Sequence, residues 1–461
     1  KDYYSKPWRG TWEGEQGGAI LSHSIHIHDL VSMILGPVSN VFAKLTTRVN
    51  DIEVEDCAAL SIEMENGTLV TSSITLGAAN DTSRLRFCFE GLTAESGASP
   101  DKPYSPADDK WDFLPRAPIT QDQIDEVLIG NVVSAGLKQA PARQAMRLAG
   151  IPDGCGATTI NKVCGSGMKA TMLAFDLIRS GSAETVLSGG MESMSNAPYL
   201  LANARSGLRM GHSDTQDSLF TDGLEDAETG DSMGSFAQET ADKYQLTREE
   251  MDEYAIESVN RSQAAIKNCS LETEIAAMEV KGEKIVDDEQ PGKAKLDKIP
   301  TLRPAFKAGG TITAANSSSI SDGASALLLT SRKADGKDGY LAKVAGHATH
   351  SIHPSEFTLA PIGAITSLLD KLDWPIESVD LFEINEAFAM VAMLTIKELG
   401  LDPEKVNIFG GACAQGHPIG STGSRLIVTL AHAMKAKGLK RGVAALCIGG
   451  GEATAIALER A

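Results

Sequence analysis

What this chain does without narrows what it does. Its seven cysteines (Cys57, Cys88, Cys155, Cys164, Cys269, Cys413 and Cys447) include no C-x-x-C pair, so no zinc or other metal site is expected. No apolar run reaches the roughly 18 residues that a membrane span needs. No secretory leader is visible, and an odd set of scattered cysteines then reads as free thiols in a reducing, cytoplasmic compartment. Positive charge is scarce: 42 Lys and Arg face 61 Asp and Glu, and the net charge of −19 argues against nucleic-acid binding. A small anionic substrate would need a basic patch set against that field. The chain opens at Lys1 rather than Met, from which an incomplete start is expected.

What is present falls into two unlike pieces. Residues 1–118 alternate with period two in "VFAKLTTRV", "CAALSIEM", "GTLVTSSITL" and "RLRFCFEGL", which predicts antiparallel strands separated by turns such as "ENG". The Pro- and Asp-rich "ASPDKPYSPADDKWDFLPRAP" has no apolar period and reads as a loop or linker. Beyond it, strands alternate with helices, the pattern of layered α/β folds. That part contains an internal echo. "IDEVLIGNV", "TTINKVCGSG", "MKATMLAFDLIRSG" and "ETVLSGGMES" match in order "VDLFEINEAF", "KVNIFGGACAQGHPIGSTG", "SRLIVTLAHAMKAKG" and "GVAALCIGGGEA". Two related half-domains are expected. The later half opens with a strand "YLAKVAGHATH" and a helix "APIGAITSLLDKL" that have no counterpart in the earlier one, so one strand and one helix are expected to be missing there.

Cys164 stands where a strand gives way to a Gly-Ser-Gly turn and a helix. A helix N-terminus carries partial positive charge and unpaired N–H groups, which favour a thiolate, and the thiolate is the nucleophile. The matching turn of the later half carries His417. Cys447 lies at another strand end, and "VDLFEINEAF" supplies Asn385 and Glu386. Singly, these read as a packed core cysteine, a turn histidine, a second core cysteine and a helix cap. Together, at matching strand ends, they form a kit for acyl transfer.

Over about residues 119–461 the chain closely resembles the thiolases of the acetyl-CoA acetyltransferase type. "NKVCGSGMKA", "NEAF", "GGACAQGHPIGSTGSR" and "CIGGGEATAIALE" carry the resemblance. It implies an α/β fold of two half-domains layered α-β-α-β-α, one over 119–333 and one over 334–461, with an inserted loop domain at about 194–316. It implies Cys164 as the acylated nucleophile, His417 as its activator, Asn385 holding a water, and Cys447 as the acid/base on the second acetyl-CoA. The backbone N–H groups of Cys164 and Gly449 would form an oxyanion hole. No cofactor is permanently bound; coenzyme A carries the acyl group as substrate. A homodimer or homotetramer is implied, as is a place in fatty acid metabolism. In the loop domain, "SMGSFAQ" sets Ser232 and Met233 where some biosynthetic members have His-Met. Ser318 matches a CoA-contacting serine, while Ala315, Ser317 and Ser319 depart from the family run and should narrow the space slightly. Phe306, Ala387 and Phe388 match tunnel-lining positions, with core packing as the alternative for the aromatics. Lys293 and Lys295 are candidates for the CoA phosphates, against a plain solvated run. The family also implies that the missing strand is central to the first sheet.

Residues 1–118 resemble the second domain of the Gfo/Idh/MocA oxidoreductases, through "GGAILSHSIHIHDLVSMILGPV" and "VEDCAALSIEMENGTLVTSSITLG". The acid that stands four residues before the family's histidine is Ser22 here, opposite His26. The dinucleotide-binding half is absent, so no dehydrogenase activity is expected. His23, His26 and His28, with Asp29, make a weak metal pattern. Two readings compete with a thiolase. A ketoacyl synthase would carry a second His at Asn385. A fusion of two truncated genes would have no activity.

Overall fold

The computed structural model describes residues 31–47, 57–75, 86–89, 92–96, 111–115, 119–280, 282–331 and 340–460. The chain divides into two compact units, Lys1–Ala117 and Pro118–Ala461.

In the first unit, β1 (Val38–Thr46), β2 (Cys57–Met64) and β3 (Leu69–Thr75) form an antiparallel meander. The alternation in "CAALSIEM" turns Ala58, Leu60, Ile62 and Met64 to one buried face, as a two-residue period requires. The β2–β3 turn uses Gly67 at φ +83°, and the Asn66 side chain accepts the Thr68 N–H. A second antiparallel sheet joins β4 (Arg86–Phe89), β5 (Leu92–Ser96) and β6 (Trp111–Pro115). Here the expected linker is corrected: "WDFLP" is a strand that pairs with β5, its aromatic and apolar residues compatible with a sheet despite the Pro and Asp around them. Ser22, His23, His26, His28 and Asp29 lie outside the described residues.

The second unit repeats one sheet plan twice. The first sheet runs in the order β14 (Asp322–Thr330), β9 (Thr185–Ser193), β7 (Glu126–Gly130), β8 (Gly156–Ile160), with β14 antiparallel to its neighbour. The second runs β15 (Lys343–Ser351), β18 (Glu452–Glu459), β17 (Arg441–Ile448), β16 (Leu381–Ile384). The echo extends to single hydrogen bonds. Asp125 accepts the N–H groups of Glu184 and Thr185, and Asp380 accepts those of Lys440 and Arg441. Two short hairpins, β10 (Tyr199–Leu201) with β11 (Thr215–Asp217) and β12 (Met278–Val280) with β13 (Glu283–Ile285), lie between β9 and β14 with the helices α3 (Met233–Lys243), α4 (Arg248–Lys267) and α5 (Glu289–Lys293).

Helices α2 (Ser166–Arg179) and α9 (Thr422–Lys437) pack on each other between the two sheets. Their crossing is tight because both carry glycine there. A Cβ on Gly167 would meet Ser424, and one on Gly423 would meet the Met168 backbone. Outside the first sheet, Ala142 and Met146 of α1 (Pro141–Leu148) pack on Val127 and Ile129. Outside the second, Ala364, Ile365 and Leu368 of α6 (Ala360–Leu372) cover Phe382, Ile384 and Ala455. The order is α-β-α-β-α, as expected.

The second half shows where the strand without a counterpart belongs. Its β15 pairs only with β18, at the sheet's edge. The expectation of a central gap is therefore corrected: β7 and β9 pair directly in parallel register, and the position left over is outside β14. The consequence is visible in burial. The interior of β18 is buried residue after residue, whereas Ala324, Ala326 and Leu328 of β14 are exposed.

Candidate active site

Between β8 and α2 the chain makes the turn that holds Cys164. Val163, immediately before it, sits at φ +45°. A β-branched residue there is strained by about 1–3 kcal/mol, and persists only where its surroundings over-determine it. They do: Asn161 Oδ1 accepts the Val163 N–H at 3.0 Å, and Ser166 Oγ donates to the Val163 carbonyl at 2.7 Å. Ser166 also accepts the Lys162 N–H at 2.8 Å. From the second half, Ile448 presses against Gly165, where a Cβ would have to push the Ile448 side chain aside. The Cys164 sulfur faces its own N–H and that of Gly449, both of which favour the thiolate. Burial outweighs them: it pushes the Cys164 thiol up to about 11, and the Glu192 charge adds to the rise. The easy ionisation expected of a helix end is thus not the resting state. Cys447 is wholly buried, and burial with Cys164 beside it raises its thiol further.

The turn before α9 holds His417. Its Nδ1 lies 2.6 Å from Thr422 Oγ1, whose own hydrogen goes to the Pro418 carbonyl at 3.0 Å. Nδ1 must then carry the proton, leaving Nε2 as an acceptor 3.5 Å from Asn385 Nδ2. Burial, helped by Arg425, lowers His417 to about 3, so the imidazole is a neutral base. Asn385 is fully buried, and its Oδ1 has no partner among the described residues. Next to it, Glu386 accepts from Tyr254 and Asn407 with one oxygen and from Ser258 and the Cys413 N–H with the other, fixing the "NEAF" corner.

Met233, Ala387, Phe388 and Cys447 share one apolar cluster. Met233 Sδ lies 3.2 Å from the place a Cβ on Gly449 would take. Phe306 meets Phe388 edge to face at 6.1 Å and is partly exposed. Ser318 donates both its N–H and its hydroxyl to the Ala387 carbonyl, at 3.0 and 3.1 Å. The departing hydroxyls are used internally, Ser317 on the Thr313 carbonyl and Ser319 on Gln290. Ser232 caps α3 through the Ser235 N–H. The two lysines do not join this group: Lys293 pairs with Glu289 on its own helix at 2.7 Å, and Lys295 is exposed.

Sequence reasoning missed Glu192. This buried carboxylate accepts from Asn131 Nδ2 and the N–H groups of Val132, Val133 and Gly420. It also missed the ion pair of Lys162 with Glu452 at 2.6 Å. The signal was available: both acids end a G-G-x-E run, "GGME" and "GGGE", at corresponding points of the repeat. Among the described residues, no group of His, Cys, Asp and Glu is arranged to hold a metal ion.

Comparison with known proteins gives three family matches: the thiolase N-terminal domain over residues 109–333, the thiolase C-terminal domain over 339–460, and the GFO/IDH/MocA C-terminal domain over 1–94. The chain is 47% identical to acetyl-CoA acetyltransferase 2 of Arabidopsis thaliana over 355 residues, 75% of this chain and 88% of that protein. It is 44% identical to the acetyl-CoA acetyltransferase of Pseudomonas aeruginosa over 356 residues, 76% of this chain and 91% of that protein. The crystal structure of the Acat5 thiolase from Ascaris suum in complex with coenzyme A superposes with a TM-score of 0.70 at 41% identity, covering 74% of this chain and 89% of that one.

Proposed function

Because the chain belongs to the thiolase family, we propose that it is an acyltransferase that condenses two acetyl-CoA molecules to acetoacetyl-CoA, or runs the reverse thiolysis, through a thioester on Cys164. The observation that carries this reading is the convergence on one sulfur of groups from both halves: Gly449 N–H faces Cys164, and Cys447 lies beside it. In the first step His417 Nε2 takes the Cys164 proton as the sulfur attacks the acetyl carbonyl. The carbonyl oxygen becomes an oxyanion against the Cys164 and Gly449 N–H groups, where preorganised donors are worth most. The bond to the CoA sulfur breaks, and the leaving thiolate takes the proton of Cys447. In the second step the Cys447 thiolate removes the α-proton of a second acetyl-CoA. The resulting carbanion attacks the Cys164 thioester, acetoacetyl-CoA leaves, and Cys164 recovers its proton from His417.

Burial is compatible with these roles. The imidazolium forms only opposite a thiolate or an oxyanion, which repays its desolvation. Asn385, through its Nδ2 near His417 and its unpartnered Oδ1, would hold a water on the second thioester oxygen. Met233, Phe306, Ala387, Phe388 and Ser318 would line the acyl-pantetheine path, with coenzyme A as substrate carrier. The same reading carries a homodimer or homotetramer in the cytoplasm, acting in fatty acid metabolism.

Cys164→Ala is expected to abolish thiolysis of acetoacetyl-CoA, by a factor of at least about 10³, with the fold retained. Unchanged turnover in that variant would exclude the mechanism. A second reading, a folded but inactive member, is favoured by the exposed edge of β14. A cooperative thermal melt without thioester turnover by the purified chain would select it.

A further inference from the structure

The two G-G-x-E runs do something that the chemistry above does not use. Each carries its acid from one half into the catalytic turn of the other. Glu192, at the end of β9 in the first half, accepts the Gly420 N–H at 2.9 Å, three residues past His417. Its remaining acceptances, from Asn131, Val132 and Val133, tie it to the end of β7 in its own half. Glu452, at the start of β18 in the second half, binds Lys162 Nζ at 2.6 Å, two residues before Cys164. Its other oxygen takes the Ser351 hydroxyl of its own half at 3.4 Å.

The backbone packing has the same reciprocity. A Cβ on Gly130 or Gly190, at the ends of β7 and β9, would strike the Gly420 carbonyl. A Cβ on Gly165 would strike Ile448, at the end of β17. Each half therefore presses a strand end onto the other half's turn and adds one carboxylate bond across the seam. Both turns need holding. Val163 is strained beside the nucleophile, and His417 stands on a turn entered through Gly416 at φ +88°.

We propose that Glu192 and Glu452 are a reciprocal pair of positioning residues, each fixing the catalytic turn of the opposite half so that Cys164 and His417 meet the substrate in register. The pair rests on the acyl-transfer reading for its purpose, but not for its test. Glu192→Gln keeps the volume and turns an amide NH₂ toward N–H donors, so either the bonds of Val132 and Gly420 to one oxygen or those of Asn131 and Val133 to the other are lost, and the four-donor clamp across the seam is broken. Loss of charge alone would act oppositely, since the Glu192 charge disfavours the Cys164 thiolate and its removal would speed reaction of that sulfur. Slower reaction is therefore the mark of lost position.

The experiment uses the full chain as wild type, Glu192→Gln, Glu452→Lys, Lys162→Glu and the double exchange Lys162→Glu/Glu452→Lys. Peptide mass spectrometry follows two rates at Cys164, acetylation by acetyl-CoA and alkylation by iodoacetamide, beside a thermal melt. A displaced turn is expected to slow both rates in Glu192→Gln by about 10-fold to 100-fold, as misplacement of about 1 Å does, with a cooperative melt retained. Each single charge reversal should slow both rates, and the double exchange should recover most of the loss. Wild-type rates in Glu192→Gln, faster alkylation in it, or a double exchange no better than its parents would overturn the inference. If wild-type Cys164 is alkylated but never acetylated, the acyl-transfer reading fails on its own, and the alkylation rates still decide the positioning.

Discussion

Glu383 stands in the middle of β16 with its side chain wholly buried, among Arg425, Glu274 and Glu386. Burial dominates and raises it from 4.5 to about 8. The native state then holds a proton that the unfolded chain releases, so stability is greatest below the lower value and falls as pH rises through that window, by up to about 1.4 kcal/mol per pH unit. Glu383→Gln, which mimics the protonated acid, is expected to flatten the fall, and melting curves at pH 5 and 8 would check it. A second titration belongs to Cys164. With its thiol at about 11, alkylation of the substrate-free protein should still be climbing above the ordinary cysteine value of 9.0. A plateau at neutral pH would contradict that. At this scale the sequence singled out residues that the structure brings together in pairs, Cys164 beside Cys447 and Asn385 near His417, because each sits at a strand end or a Gly-rich turn. It misjudged the ionisation of the Cys164 and Cys447 thiols, because burial depends on packing from the other half of the chain and leaves no local pattern.

Among the elements, the strand ends and Gly-rich turns were the most legible. "ETVLSGGMES" became β9 nearly residue for residue, and "MKATMLAFDLIRSG" lies within or just past α2. Less legible was how tightly they meet. Gly190→Ala would drive a methyl into the Gly420 carbonyl, and overpacking of this kind costs about 1–3 kcal/mol. A lowered melting midpoint and reduced turnover together are the expected result. Val163→Gly should separate the two effects. The left-handed backbone suits glycine, so the melting midpoint should hold or rise, while a turn no longer held by its side chain should lose turnover. The linker before the second unit was misread for a physical reason: Pro and Asp set its composition, but the segment Trp111–Pro115 within it is a strand that pairs with β5.

For the whole molecule, the repeat explains both what is complete and what is open. The second half covers β18 with β15 and α6, while the first sheet ends, among the described residues, at β14 with Leu328 47% exposed. An apolar sheet edge that carries no charge past Asp322 and no proline invites pairing with another chain. Leu328→Lys is therefore expected to raise the concentration at which the protein stays in solution, read by light scattering, without lowering its melting midpoint. The internal echo made the missing strand visible in the sequence. Its place did not follow from the echo, because strand order within a sheet is set by packing across long loops, and only the pairing of β15 with β18 fixes it at an edge. The account as a whole requires that the two halves deliver their groups to one sulfur. Mass spectrometry of peptides after brief exposure to acetyl-CoA reads this most directly. A single acetyl group on Cys164, lost again on adding free coenzyme A, is the predicted result; acetyl carried by another cysteine, or by none, would contradict it.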